Sequence, residues 1–146
     1  AKIHQPKRAL EIGMFTGYSA LSIAEGMPED GSLTCCETNP RAIEFAQSFF
    51  DRSPFGHKIT PIFGPALETI ESLEGPLDFV FIDASHAEAD VLADIKAWAP
   101  KVKPGGWVMG HDYDNPNFTG TTKAVDSVFY GTFVEIDDDY FWGVRL

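Results

Sequence analysis

Two short segments carry acids and histidines where chemistry could be done: Asp83-Ala84-Ser85-His86 and His111-Asp112-Tyr113-Asp114. Each follows a short apolar run, Phe79-Val80-Phe81-Ile82 in one case and Trp107-Val108-Met109 in the other. Both read as strands, and the unbroken run Phe79–Ile82 as one buried on both faces. If the two strands are neighbours, Asp83, His86, His111 and Asp112 converge on one rim. Two carboxylates with imidazoles suit a divalent metal or an acid–base pair. The plainer alternatives are a helix cap for Asp83 or Ser85 and a satisfied, partly buried side chain for each histidine. Four such residues at two neighbouring strand ends favour function.

A second group lies nearer the amino terminus. Ala9-Leu10-Glu11-Ile12 reads as a strand, and Gly13-Met14-Phe15-Thr16-Gly17 as a tight turn into a helix that begins at Gly17. Glycines let a backbone approach a ligand, and a helix start offers free N–H groups. One glycine spacing is not the dinucleotide fingerprint. About one strand–helix unit later, Glu37 ends the strand Ser32 to Cys36. An acid there can accept both hydroxyls of a ribose. A solvated acid beside a helix start is the alternative.

The remaining elements position these residues. Asn39 caps a helix with Pro40 in its first turn, on which Ile43, Ala46, Phe49 and Phe50 recur at helical spacing. Lys58 to Phe63 is a strand whose internal Pro61 predicts a sheet edge. Pro65 opens a short helix with Leu67, Ile70 and Leu73, and Ala87 to Ala99 and Thr121 to Phe129 are helices. Pro104-Gly105-Gly106 is a turn before the strand at Trp107. Thr132 to Ile136 and Tyr140 to Val144 form a hairpin around Asp137-Asp138-Asp139. Strand–helix alternation closed by a hairpin predicts an α/β sheet that is parallel for most of its width, with ligands beyond the carboxyl ends of the strands.

The 146 residues make one domain, 1–146. A formal net charge of -11 disfavours nucleic acid or an anionic membrane surface as partner. No apolar run is long enough to span a bilayer, and no signal peptide opens the chain. The adjacent Cys35 and Cys36 read as free thiols in a reducing, cytoplasmic setting.

Three motifs together resemble the class I S-adenosylmethionine-dependent methyltransferases, and among them the caffeoyl-CoA and catechol type O-methyltransferases. They are Glu11-Ile12-Gly13-Met14-Phe15-Thr16-Gly17-Tyr18-Ser19, Gly64-Pro65-Ala66-Leu67 and Phe79-Val80-Phe81-Ile82-Asp83-Ala84. The resemblance implies a Rossmann-like, seven-stranded, mostly parallel sheet with an antiparallel C-terminal hairpin and helices on both faces. It implies that Glu11, Gly13, Met14 and Gly17, with Ser19 nearby, hold the methionine part of S-adenosylmethionine. Glu37 falls on the family's ribose acid, Ala66 on its adenine contact, and Asp83 on a metal ligand that also borders the methyl donor.

Three departures stand out. The family's metal pair after the fifth strand is Asp-Asn, and here it reads His111-Asp112. The family's lysine, three residues after the first metal ligand, is His86. Relatives also carry helices before the first strand, where this sequence has eight residues. The acceptor side is then open, completed by a second copy in a homodimer, or contributed by a region preceding this sequence.

The resulting expectation is metal-assisted O-methylation of a small diol or catechol-like molecule. Asp83 and Asp112 are hard ligands suited to Mg²⁺, and His111 as a third ligand or neighbour favours a softer ion such as Mn²⁺. His86 is the expected general base. A metal-independent enzyme using His86, and a non-catalytic cofactor-binding module, are the alternatives. An Asp-Pro-Pro-Tyr type N-methyltransferase is disfavoured, because Asp83-Ala84-Ser85-His86 stands at that motif's position. The similar-looking Asp114-Asn115-Pro116-Asn117 lies one strand later and reads as a loop. The acidic balance argues against a polyanionic acceptor such as a CoA ester.

Overall fold

The computed structural model describes residues 5–69, 72–73, 75–132, 135–136 and 139–146. The chain divides into two compact units, Ala1–Glu74 and Gly75–Leu146.

In the first unit, β1 (Arg8–Ile12), β2 (Ser32–Glu37) and β3 (Ile59–Phe63) are parallel, in the order β3-β2-β1. Cys35 and Cys36 are both buried although successive strand residues face opposite ways, so β2 is covered on both faces. Pro61 sits in β3, at the end of this order, where its missing N–H costs no ladder bond. The helices α1 (Tyr18–Gly26) and α2 (Pro40–Phe50) join the strands. Asn39 caps α2 by accepting from the Arg41 N–H, as its type and the following proline predict. The inward stripe of α2 is Ala42, Ala46 and Phe50. Phe49, expected to face inward, is instead exposed, with its ring 5.0 Å from Phe45 and the Arg52 guanidinium over it. A stripe at i, i+4 and i+8 leaves its side chain on the helix flank.

The start of α1 is fixed by contact with α2. Gly17 has φ 81°, and a Cβ on it would stand 2.6 Å from Phe50 Cζ. Both the left-handed backbone and the lack of space demand glycine here. The other end of α1 is held by Lys58, whose buried ammonium donates to the carbonyls of Ala24 and Met27 at 3.3 and 3.0 Å. Carbonyls at a helix end lack intrahelical partners, and a lysine there satisfies them. The helix expected from Pro65 is only a 3₁₀ turn over Ala66–Glu68; Ile70, assigned to it, lies outside the described residues.

In the second unit, β4 (Leu77–Ile82) and β5 (Val102–Gly110) are parallel, and β7 (Trp142–Arg145) runs antiparallel to β5 and to β6 (Glu135–Ile136). Helices α3 (Glu88–Trp98) and α4 (Thr119–Phe129) pack on each other. Among the described residues, six strands have four residues or more, and β6 has two. Of the expected hairpin, Glu135–Ile136 and Trp142–Arg145 are strands among the described residues, and residues 133–134 and 137–138 lie outside them.

Pro104-Gly105-Gly106 does not precede a strand but lies inside β5. Leu77 opposes Val102 and Phe79 opposes Trp107, so β5 carries three extra residues in that interval. This is a bulge, with Gly105 at φ 80°. Its backbone is paired elsewhere: Gly105 N–H donates to the Leu146 carbonyl, and Leu146 N–H donates to that of Gly106. Lys103 and Asp78 form an ion pair beside it.

Candidate functional site

The glycine turn of the first unit is built from main chain. Gly13 and Met14 N–H groups both donate to the Cys36 carbonyl, at 3.0 and 3.3 Å, which pins the turn to the end of β2. Gly17 N–H closes the turn on the Met14 carbonyl at 2.9 Å. Phe15, at φ 46°, donates its N–H to Glu37 Oε2 at 2.7 Å. Glu37 Oε1 accepts from Asn39 N–H at 2.8 Å. One carboxylate thus straps the turn to the end of β2, and its plane is fixed by two backbone donors. A carboxylate can accept about four hydrogen bonds, so this arrangement orients Glu37 without exhausting it.

The N-cap of α1 is Gly17, with no side chain to cap it. Such a helix start directs N–H groups and the positive end of the dipole outward. Ser19 lies in this first turn, half-buried. Glu11 is fully buried beside Cys35, whose thiol is pushed well up by burial and then by the Glu11 carboxylate. Met14 is buried, as is Ala66, in the turn that follows β3.

The cluster of the second unit is built from side chains. Asp83 follows β4, and Asp112 follows β5 by two residues. His86 Nε2 stands 2.7 Å from Asp112 Oδ2. One ligand atom each from Asp83, His86 and Asp112 can be chosen with all three within 4.8 Å of one another. Asp112 is 4% exposed and has φ 65°. A left-handed conformation in a non-glycine residue of this kind costs of order 1–3 kcal/mol and persists where its surroundings enforce it. Its other oxygen, Oδ1, accepts from Asn115 Nδ2 at 2.6 Å. The His86 ring stacks on Phe118, centroids 4.0 Å apart. The Asp83 carboxyl is raised above the usual range, first by burial; His111 and His86 lower it and Asp112 raises it.

His111, expected as a third ligand or an immediate neighbour, is not in the converging group of Asp83, His86 and Asp112. His111 instead borders the cluster, reaching the same Asp112 oxygen that faces His86. His111 Nδ1 is 3.3 Å from Asp112 Oδ2, its Nε2 is 2.8 Å from the Asp139 carbonyl oxygen, and its ring meets Phe141 edge-on at 4.7 Å. Asp83 is not the cap of α3. The N-cap is Ala87, with no side-chain cap, and Ser85 stands ahead of it, accepting from Ala87 N–H and donating to Asp90 Oδ2. Asn115 and Phe118, which touch the cluster, were not legible as site residues; the signal available was an Asn two residues before another Asn, the spacing of a side-chain-capped turn.

The sequence model of the methyltransferase-domain family matches residues 10–113, and the chain belongs to that family. O-methyltransferase ankF of Aspergillus thermomutatus is 42% identical over 90 residues, covering 60% of this chain and 38% of that protein. Caffeoyl-CoA O-methyltransferase 2 of Zea mays is 30% identical over 145 residues, covering 95% of this chain and 53% of that protein. The chain thus spans about half or less of the length of these curated relatives. The O-methyltransferase TomG of Streptomyces achromogenes, solved in complex with S-adenosylmethionine, superposes with a TM-score of 0.79 at 22% identity, covering 99% of this chain and 75% of that one. The fold is the Rossmann-like α/β methyltransferase fold, mostly parallel with an antiparallel C-terminal strand pair.

Proposed function

We propose that the protein is an S-adenosylmethionine-dependent O-methyltransferase that acts on the hydroxyl of a small diol or catechol-like molecule with the help of a divalent cation. The observation that carries this reading is the convergence of Asp83, His86 and Asp112 in a chain of the methyltransferase-domain family.

When bound, S-adenosylmethionine supplies a sulfonium methyl group for displacement by oxygen. Glu37 fits the ribose diol, since its carboxylate is held in one plane by Phe15 and Asn39 N–H groups and keeps acceptor capacity. The uncapped start of α1, with Ser19, fits the carboxylate of the methionine part. Gly13 and Met14 N–H groups are committed to Cys36, so what this turn offers an ammonium group is carbonyl oxygen. Glu11 adds a buried acid beneath the turn, Gly17 supplies the left-handed backbone that seats the turn against α2, and Ala66 is the adenine contact.

The donor set of the second cluster, two carboxylates and one imidazole, fits a cation of the Mn²⁺ kind and also tolerates Mg²⁺. Burial and a neighbouring acid raise the Asp83 carboxyl, a cost that a cation would offset. A divalent ion there would supply the Lewis acidity that makes a hydroxyl a better nucleophile. A second reading rests on the 2.7 Å contact between His86 and Asp112: the imidazole, oriented by the carboxylate, takes the hydroxyl proton without a metal. We further place the protein in the cytoplasm, on the strength of the buried thiols of Cys35 and Cys36.

The test is a screen of diols and catechols with methyl-labelled S-adenosylmethionine. It is run with Mg²⁺, with Mn²⁺ and in excess chelator. Turnover that chelator abolishes and metal restores supports the first reading; turnover indifferent to chelator supports the second. Cofactor binding with no turnover on any acceptor sinks both and leaves a binding module.

A further inference from the structure

Asp114-Asn115-Pro116-Asn117 reads in sequence as a loop, and the structure ties it, with Phe118 that follows, to the His86–Asp112 pair at two points. Asn115 Nδ2 donates to Asp112 Oδ1 at 2.6 Å. Asn115 Oδ1 accepts from the Asn117 N–H at 3.0 Å. Because only the amide oxygen can accept from an N–H, this second bond fixes which end of the amide faces Asp112. Phe118 lays its ring on the His86 imidazole, 4.0 Å between centroids and 21° from parallel. The loop is closed on itself by Phe118 N–H donating to the Asn115 carbonyl at 3.0 Å, and tied to α4 by Asp114 N–H donating to Thr122 Oγ1 at 2.9 Å.

The start of α4 is seated against the same histidine. A Cβ on Gly120 would stand 2.4 Å from the His86 carbonyl oxygen and 2.6 Å from Glu88 N. Only glycine permits that approach, and the approach brings Phe118 over the ring. A phenylalanine 37% exposed has little reason of its own to hold one place, yet here it covers one face of the imidazole.

We propose that Asn115 and Phe118 are positioning residues that act as a clamp on the His86–Asp112 pair. The inference rests on the functional reading of that pair given above. Asn115 occupies one carboxylate oxygen of Asp112 and so presents the other to His86. Phe118 fixes the plane of the imidazole that receives it. Groups of this kind matter because an acid–base or ligand pair is useful only when its rotations are already lost.

The experiment reads each variant at the residue it does not touch. In isotope-labelled full chain, Asn115→Ser keeps a hydroxyl able to accept from Asn117 N–H but too short to reach Asp112. It is read at the imidazole nitrogens of His86. Phe118→Leu is read at the carboxyl carbon of Asp112, with Phe118→Tyr as the conservative partner. Mn²⁺ uptake is followed by electron paramagnetic resonance, and melting temperature is measured alongside. The clamp predicts that both remote resonances move, that Phe118→Tyr restores the Asp112 signal, and that Mn²⁺ affinity falls about tenfold or more in Asn115→Ser and Phe118→Leu. Wild-type protein that takes up no Mn²⁺ defeats the metal reading alone, because the remote shifts still report the clamp. Remote resonances that stay in place in both variants overturn the clamp, whatever happens to metal uptake or melting temperature.

Discussion

The two candidate regions achieve rigidity by opposite means. In the first unit the turn after β1 is joined to the end of β2 by three backbone N–H groups, those of Gly13, Met14 and Phe15, which end on Cys36 O or the Glu37 carboxylate. In the second unit the cluster after β4 and β5 is joined by side chains: His86 to Asp112, Asn115 to Asp112, Phe118 on His86. A main-chain cradle depends on few side chains, chiefly one that accepts and one that must be absent. A side-chain cluster depends on every member. The first should therefore fail in binding or in folding, and the second in chemistry.

The largest separation of the two is expected from Asp112→Ala. It removes the group that both His86 and Asn115 address. Turnover should fall by about 10²–10⁴-fold, the usual worth of acid–base help, while affinity for S-adenosylhomocysteine stays within about twofold. Calorimetry and initial rates on the same preparation check it. A joint collapse of affinity and rate would mean that the cluster also holds the cofactor.

Next comes Gly17→Ala, which attacks the cradle through folding. The new methyl group meets Phe50 at 2.6 Å in a backbone region that costs alanine about 1 kcal/mol or more. With overpacking of 1–3 kcal/mol, a loss of about 2–4 kcal/mol is expected in denaturant unfolding. Full stability in the variant would show that the turn is looser than its contacts indicate.

Glu37→Ala is expected to be milder and confined to binding. Charge-assisted hydrogen bonds left unmade cost about 1–3 kcal/mol, so S-adenosylhomocysteine affinity should weaken by that amount with the rate at saturation retained. Unchanged affinity removes Glu37 from the ribose assignment. The same variant loses the strap to Phe15, so amide exchange at Phe15 and Met14 should quicken.

These contrasts also explain what could be read in advance. The cradle was legible because its signals are local: Gly13 and Gly17 in a turn, Asn39-Pro40 at a helix start, an acid at a strand end. The residue types of the cluster were legible for the same reason. Its partner choice was not. Strand adjacency predicts that Asp83, His86, His111 and Asp112 come near one another, but which histidine joins depends on the turn after β5, where Asp112 takes φ 65°. No local signal announces a left-handed aspartate. Pro104-Gly105-Gly106 misled for a related reason: turn residues also make bulges, and only the pairing with β4 and with Leu146 tells the two apart.

The smallest expected effect concerns an acid in the second unit that belongs to neither region. Asp94, on α3, is buried, and its carboxyl is pushed up to about 6, first by burial and then by the charge of Asp90 one helical turn away. Asp83 is raised mainly by burial as well, so the pair asks whether that shift alone marks a functional acid. The sign follows from linkage. A carboxyl whose folded value lies above its unfolded value of 3.8 binds protons more readily when folded. Its penalty is absent below the unfolded value, grows as pH rises through the interval, and is complete above about 6. Removing the charge should therefore stabilise the protein at pH 8 and not at pH 3.5. With allowance for partial solvent screening, Asp94→Asn should add about 1 kcal/mol at the higher pH. Thermal unfolding of both proteins at the two pH values decides it. An equal gain at both would assign the effect to packing of the amide and not to charge, whereas a gain at pH 8 alone, with turnover unchanged, would identify Asp94 as a raised acid with no part in the chemistry.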